Sequence, residues 1–384
     1  MEWWQILIGV IIGLCLLMVI VVIHEFGHAF AARRNKVEVE EFGIGFPPRA
    51  KVLGRYKGTL VTLNWLLPIG GFCKLKGESD SAKGQGTYGS ASFWAKTQIL
   101  LAGVFANFIL AALIFTVLAL IGMPKVFEDQ WSLESDTQIT YSPVQISSTV
   151  STDSPAGKIG LEVGDQIISL NNQELQSTSE LPKLTEELRG QTVPIVYERD
   201  GKKLQADVTL RENADGGYLG VSVGQSETFK ATWSAPIVGV VNMAQFTWWT
   251  LEGLGQIVVN FGSGIIGSVS FDSEVRQEAA GNIAKAGDSV SGPVGILGVI
   301  FPNAVMAGPT QLVFVSGLIS LALAVMNLLP IPGLDGGRWI LTAIFKIIRK
   351  PLTEELEAKI NGIGMICLFA LIILITFADI IKLW

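Results

Sequence analysis

"VVIHEFGHAFAARR" (residues 21–34) sets two histidines and a glutamate at the end of eighteen consecutive apolar or small residues, 6–23. His24 and His28 are the two histidines of this 384-residue chain. A run of that length, coiled as a helix, approaches the roughly 30 Å of a bilayer's hydrocarbon core. Ionisable groups within such a run are costly and default to a functional role. Four positions apart on a helix, the two imidazoles share a face and converge. H-E-x-x-H is the pattern in which two imidazoles bind zinc and the glutamate works on the bound water. The structural alternative is a pair of helix-end histidines hydrogen-bonded at the interface, with Glu25 snorkelling to water. Chance seldom places a lone histidine pair four apart around a glutamate, so metal binding is the reading adopted.

The composition agrees with a membrane setting. The chain is 49% hydrophobic and 16% charged, with a mean hydropathy of +0.46, more apolar than soluble globular proteins. Spans are predicted at about 4–31, 98–123, 311–332 and 361–381. The first is expected to stay on the protein, because "MEWWQ" has no positive charge and no cleavage-like site follows. Cys15, Cys73 and Cys367 form no CxxC, which leaves neither a disulfide framework nor a zinc knuckle. A net charge of −6 argues against a nucleic-acid partner.

Lys and Arg crowd two segments, Arg33 to Lys96 and Arg338 to Lys350, and the positive-inside rule makes both cytoplasmic. Both termini and residues 124–310 then lie outside the cytoplasm. Residues 235–266 carry one charge, Glu252, but are rich in Gly, Asn, Gln and Thr, with Trp248 and Trp249 paired. That composition suits an interfacial amphipathic helix rather than a fifth span.

A catalytic zinc takes three protein ligands and leaves one position open. With no histidine left, the third ligand is Asp, Glu or Cys. Glu38, Glu40 and Glu41 are near in sequence but sit in the basic loop beyond the helix. Asp335, in "NLLPIPGLDGGR" at the end of span three, is the better candidate. Pro330 and Pro332 stop regular helix there, and Gly336 and Gly337 permit close backbone approach. Three crossings return Asp335 to the cytoplasmic side where His24 lies; a fourth, through 235–266, would separate them. "SGPVGI" at 291–296 reads as a loop leading into span three.

Residues 59–77 alternate around a Pro-Ile-Gly-Gly turn and read as part of a β-hairpin, about 52–78, dipping into the membrane edge. Its free strand, with Gly70 and Gly71, offers backbone to an extended substrate. "SPAGKIGLEVGDQIISLNNQEL" at 154–175 reads as a PDZ-like domain of about 139–226, with strands at 166–170, 193–199 and 203–211. Such a module binds an extended peptide by strand addition or filters substrates by size. The expected organisation is therefore a membrane domain (1–123), the PDZ-like domain (139–226), an amphipathic interfacial helical linker (227–300) and a second membrane domain (301–384). The fold class is an α-helical polytopic membrane protein with four transmembrane helices, a membrane-dipping β-hairpin and one extracytoplasmic α+β domain.

HEFGH at 24–28, "PIGGFCKLKGE" at 68–78, the PDZ-like middle and "NLLPIPGLDGG" at 327–337 together resemble the site-2 protease family of intramembrane zinc metalloproteases. The likeness runs essentially end to end. It implies Zn2+ as cofactor, held by His24, His28 and Asp335, with Glu25 as catalytic base and Asn327, Pro330 and Pro332 lining the substrate cleft. It further implies a bacterial cytoplasmic membrane and single-pass membrane substrates, anti-sigma-factor-like proteins or signal-peptide remnants, cut after extracytoplasmic trimming. Two departures stand out. Val104 replaces a proline usual after Gly103, although Asn107 is retained, and one PDZ-like domain is present where well-known relatives have two. A transporter would show inverted repeats, which are not apparent. A silent scaffold would leave HExxH and Asp335 unexplained, and a protease of soluble proteins would hold HExxH outside a span.

Overall fold

Residues 2–148, 151–199, 201–213, 217–270 and 272–383 are described by the computed structural model of the chain, with side chains excepted at 67–69, 288 and 383. They form two compact units. The first combines Met1–Ile121, Trp131–Leu133 and Thr232–Trp384; the second combines Gly122–Gln130 and Glu134–Ala231.

The first unit opens with α1 (Trp3–Arg34), a helix of 32 residues without a proline. Sheet strands β1 (Val39–Tyr56) and β2 (Thr59–Leu75) follow, then α2 (Phe93–Ile121). Tyr56 faces Thr59 across the turn, and pairing continues back to Arg49 opposite Asn64. Glu41–Ile44 then lies between Leu60–Leu63 on one side and Gly71–Lys74 on the other, so two chain segments give four strand segments. Gly71–Leu75 carries one outer edge.

The hairpin turn is not at Pro68–Gly71, as its sequence suggests. It lies at Lys57–Gly58, whose φ values of 48° and 85° are the paired positive angles of a type I′ turn. Gly70, at φ 144°, gives β2 a bulge rather than a reversal. Ile44 pairs with Gly71 while Phe46 already pairs with Leu66, so the intervening β2 residues bow away from β1.

The second unit is antiparallel. Strands β3 (Met123–Lys125), β4 (Gln138–Tyr141) and β11 (Glu227–Lys230) form one sheet in the order β3-β11-β4. A second sheet contains β5 (Val144–Ile146), β6 (Gln166–Leu170), β8 (Thr192–Arg199), β9 (Lys202–Thr209) and β10 (Val223–Gly224), in the order β10-β5-β6-β8-β9, with β7 (Gln173–Glu174) on β6. Short α3 (Pro155–Lys158) and α4 (Glu180–Glu187) pack on it. Ile146, Ile167, Leu170, Ile195, Val208 and Leu219 form a continuous apolar core. The alternating burial of Thr192–Arg199 follows from the two-residue period of a strand with one face inside. Asp200, which follows β8 in the sequence, lies outside the described residues.

The chain re-enters the first unit as α5 (Ala235–Ser268) and α6 (Ser273–Asp288). The first half of α5 is not a surface layer. Phe246 packs 5.2 Å from Phe115 of α2, and Asn242 is fully buried while donating to Trp131 O at 2.8 Å. The second half packs on α6 through Gly264 and leaves Val258 and Val259 exposed.

A second correction concerns 291–296. Helix begins at Pro293, giving α7 (Pro293–Gly295), a π-helical turn Ile296–Ile300 and α8 (Phe301–Met306). Proline at a first helical position loses no hydrogen bond and has its φ already set, so it starts helix as readily as it stops one. The unit closes with α9 (Pro309–Leu328), α10 (Asp335–Ile347) and α11 (Glu354–Leu383). Among the described residues, four helices, α1, α2, α9 and α11, are long and apolar enough to cross a membrane. The last starts seven residues before its apolar stretch, because Glu354, Glu355 and Glu357 suit a helix N-terminus.

Candidate metal centre

Small residues bring the site's elements together. A Cβ on Gly27 of α1 would lie 2.5 Å from Ala102 O of α2, so the two helices cross with backbones nearly touching. A Cβ on Gly103 would collide with His28 Nε2 and lie 2.7 Å from His24 Cε1. The face of α2 opposite the histidines therefore has no room for a side chain.

Asp335 reaches the same point from the other end of the sequence. α9 stops at Leu328, and the chain turns through Pro330 and Pro332 before α10 begins at Asp335. Gly336 and Gly337 lie against the carbonyls of Leu328 and Ile331, where any side chain would clash. The two glycines thus let the first turn of α10 fold back on the break. Trp339 Nε1 donates to Thr97 Oγ1 of α2 at 3.0 Å. Arg338 donates to Glu78 O at 3.0 Å and pairs with Glu357 of α11 at 3.3 Å.

The result is a triangle. His24 Nε2 and Asp335 Oδ2 are 3.1 Å apart, His28 Nε2 and Asp335 Oδ2 3.2 Å, and the two Nε2 atoms 3.2 Å. Ligands about 2.0 Å from a tetrahedral zinc stand about 3.3 Å from one another, so the triangle fits that ion. Among the described residues this is the one cluster of His, Cys, Asp or Glu able to hold a metal. His28 Nδ1–H donates to Ile99 O at 2.8 Å, which leaves the lone pair of Nε2 free for a metal. The amide of Asn107 lies 3.4 Å from His24 Nδ1 on the opposite side of that ring.

Glu25 points to the sheet. A Cβ on Gly71 would lie 3.5 Å from Glu25 Cγ. The Gly71–Leu75 edge therefore borders the glutamate. Cys73 does not belong to the cluster, and burial pushes its thiol up to about 12. Glu38, Glu40 and Glu41 are engaged elsewhere, with Lys76, Lys74 and Arg49.

The remaining expected residues are placed less directly. Asn327 donates to Leu323 O of its own helix at 3.0 Å. Pro332 packs against Gly364 of α11, and Gly333 N–H donates to Asn361 Oδ1 at 3.3 Å, so α11 holds the break in place. Gly70 lies near Phe46 and Val21. The roles of Gly103, the Ile99 carbonyl and Arg338 were not read from the sequence. Only Gly103 left a signal there, a small residue four before a buried asparagine in an apolar helix.

The sequence profile of peptidase family M50 matches residues 12–371. A candidate zinc metalloprotease of Clostridium perfringens is 28% identical over 97% of this chain and 98% of its own. The zinc metalloprotease RasP of Shouchella clausii is 26% identical over 95% of this chain and 97% of its own. The PDZ domain of the SdrC-like protein from Listeria monocytogenes, a solved structure, is 28% identical over 22% of this chain and 92% of that one, with a TM-score of 0.20. The profile spans nearly the whole sequence and takes in both halves of the histidine–aspartate triangle: this chain belongs to peptidase family M50, the site-2 proteases, and is a zinc metalloprotease.

Proposed function

We propose that the protein is an intramembrane endopeptidase that cuts single-pass membrane proteins within the bilayer, with His24, His28 and Asp335 holding the zinc and Glu25 serving as general base. The observation that carries this reading is a metal-sized triangle spanning 311 residues of sequence, with a glutamate beside it inside a membrane-length helix. Zinc, when bound, acidifies its water and polarises a carbonyl. Glu25 takes the proton of the attacking water and delivers it to the leaving nitrogen.

A helical substrate buries its own backbone hydrogen bonds and must be unwound first. The Gly71–Leu75 edge supplies replacement partners to an extended chain. Gly70 and Gly71 leave room for that chain beside Glu25, and the Asn327 amide and the Pro330–Pro332 break bound its other side. The hairpin descends along α1, its turn bonded to Arg33 and its Gly70 region near Val21. Twelve residues of helix separate those levels, about 18 Å, which supports a hairpin dipping into the membrane.

The basic segments support a topology with the triangle near the cytoplasmic side and the PDZ-like domain outside, in a bacterial inner membrane by family resemblance. There the domain meets substrates already trimmed, anti-sigma-factor-like proteins or signal-peptide remnants. It takes peptide at the open edge of β10 or excludes bulky extracytoplasmic parts.

Glu25→Gln tests the assignment: reporter cleavage is expected to fall roughly 10²–10⁴-fold while bound zinc stays unchanged. Undiminished cleavage would refute Glu25 as base.

A further inference from the structure

A groove of about 1070 Å³ opens where the end of α1 meets the β1–β2 turn. One wall is apolar. Phe26 and Phe30 are exposed, their rings stacked at 6.4 Å. They continue the outward stripe of α1 that carries Trp4, Ile8, Ile11 and Val19, all exposed. Arg34 follows Phe30 by four residues, so the stripe ends on a cation.

The rest of the rim is basic. Arg33, Arg34, Lys36 and Lys57 line it. Arg33 is committed to Tyr56 O and Thr59 Oγ1, at 2.9 and 2.8 Å. Arg34, Lys36 and Lys57 have no ion-pair partner among the described residues. Two acids also line the groove, but Glu38 is held by Lys76 at 2.9 Å and Glu40 by Lys74 at 3.1 Å, both lysines standing outside it. The uncompensated charge is therefore positive, and it sits at the end of an apolar floor.

We propose that this groove is a binding site for one anionic phospholipid, with the phosphate among Arg34, Lys36 and Lys57 and an acyl chain along Phe30 and Phe26. The apolar floor selects a lipid over a soluble phosphate ester, because the headgroup alone would leave the phenylalanines uncovered. The unpaired cations select an anionic lipid over a zwitterionic one. The inference rests on α1 spanning the membrane and is independent of which residue acts as base.

The test uses the full chain in detergent micelles, titrated with phosphatidylglycerol or phosphatidylcholine, with bound lipid counted by native mass spectrometry. Phosphatidylglycerol is expected to bind at least about tenfold more tightly. Arg34→Gln/Lys36→Gln/Lys57→Gln is expected to erase most of that preference, and Lys57→Gln alone, on the exposed turn, to reduce it by a few-fold. Zinc content confirms folding of each variant. Glycerophosphoglycerol, the headgroup without tails, is expected not to displace the lipid. Equal affinity for the two lipids, a preference that survives both variants, or displacement by the headgroup alone would each overturn the proposal. Reporter cleavage measured in parallel keeps this outcome separate from that of the proteolytic reading.

Discussion

The two units of the molecule are built against opposite failures. In the second, a continuous apolar core of Ile146, Ile167, Leu170, Ile195 and Val208 is filled by side chains, and stability comes from keeping it full. In the first, the decisive contacts are made where side chains are missing. Gly27 lies on Ala102, Gly103 on both histidines, Gly336 and Gly337 on carbonyls of the preceding break, and Gly9 and Gly13 on Pro302 and Phe301. Lipid tails are as apolar as leucine, so burial gives spanning helices little reason to associate, and close backbone approach has to do it. The second unit should fail when atoms are removed, the first when atoms are added.

The strongest challenge to that contrast is a deletion in the first unit. On the proposed assignment, Asp335→Ala removes a zinc ligand rather than a packing contact. One third of an apparent zinc-binding free energy of about 12 kcal/mol corresponds to a loss on the order of 10³-fold in affinity. Chelator competition on the purified protein measures it, and unchanged affinity would exclude Asp335 as ligand. Next in size is Ile195→Ala. Ile195 has no exposed surface and sits at the centre of the second unit's core, so the cavity should cost about 3 kcal/mol of that unit's stability. Limited proteolysis in urea reports that loss, and zinc content should stay at its wild-type value. A fall in zinc would mean the units are not the separate structures their contacts describe.

The same contrast decides what the sequence discloses. Spans are legible because a hydrocarbon core demands a length and composition that little else requires. The histidine–aspartate triangle is legible because HExxH sets two imidazoles on one helix face, and the Pro-rich break with Gly336 and Gly337 marks a place of close approach. The PDZ-like strands show through their two-residue period. What the sequence hides depends on angles or on partners far along the chain. Lys57 takes φ 48° in a turn without the usual Asn-Gly or Asp-Gly signature, while Pro68–Gly71, which resembles a turn, is accommodated as a bulge in β2. Pro293 opens a helix where the sequence suggests a loop. Asn242 and Gln245 help make α5 read as an interfacial helix, and both amides bond to Trp131, a partner that lies more than a hundred residues away in the sequence.

Gly103 gives the finest test of the added-atom rule. In Gly103→Ala a single methyl enters a space bounded by both imidazoles, where its position would overlap His28 Nε2. Widening the α1–α2 crossing to admit it would pull apart the Gly27–Ala102 contact, which the adjacent residue of each helix makes. The imidazoles must turn instead, and His28 can do so only by giving up Ile99 O. Disturbing an outer-sphere partner of a metal-bound histidine typically costs about 10- to 100-fold in affinity, so the variant should bind zinc that much more weakly. Gly298→Ala is the matched control: it lies in the same unit with open space around its Cβ position, and its zinc affinity should equal wild type. If Gly103→Ala binds zinc as tightly as that control, the helices yield more easily than their glycine contacts imply, and the contrast between the units reduces to one of composition.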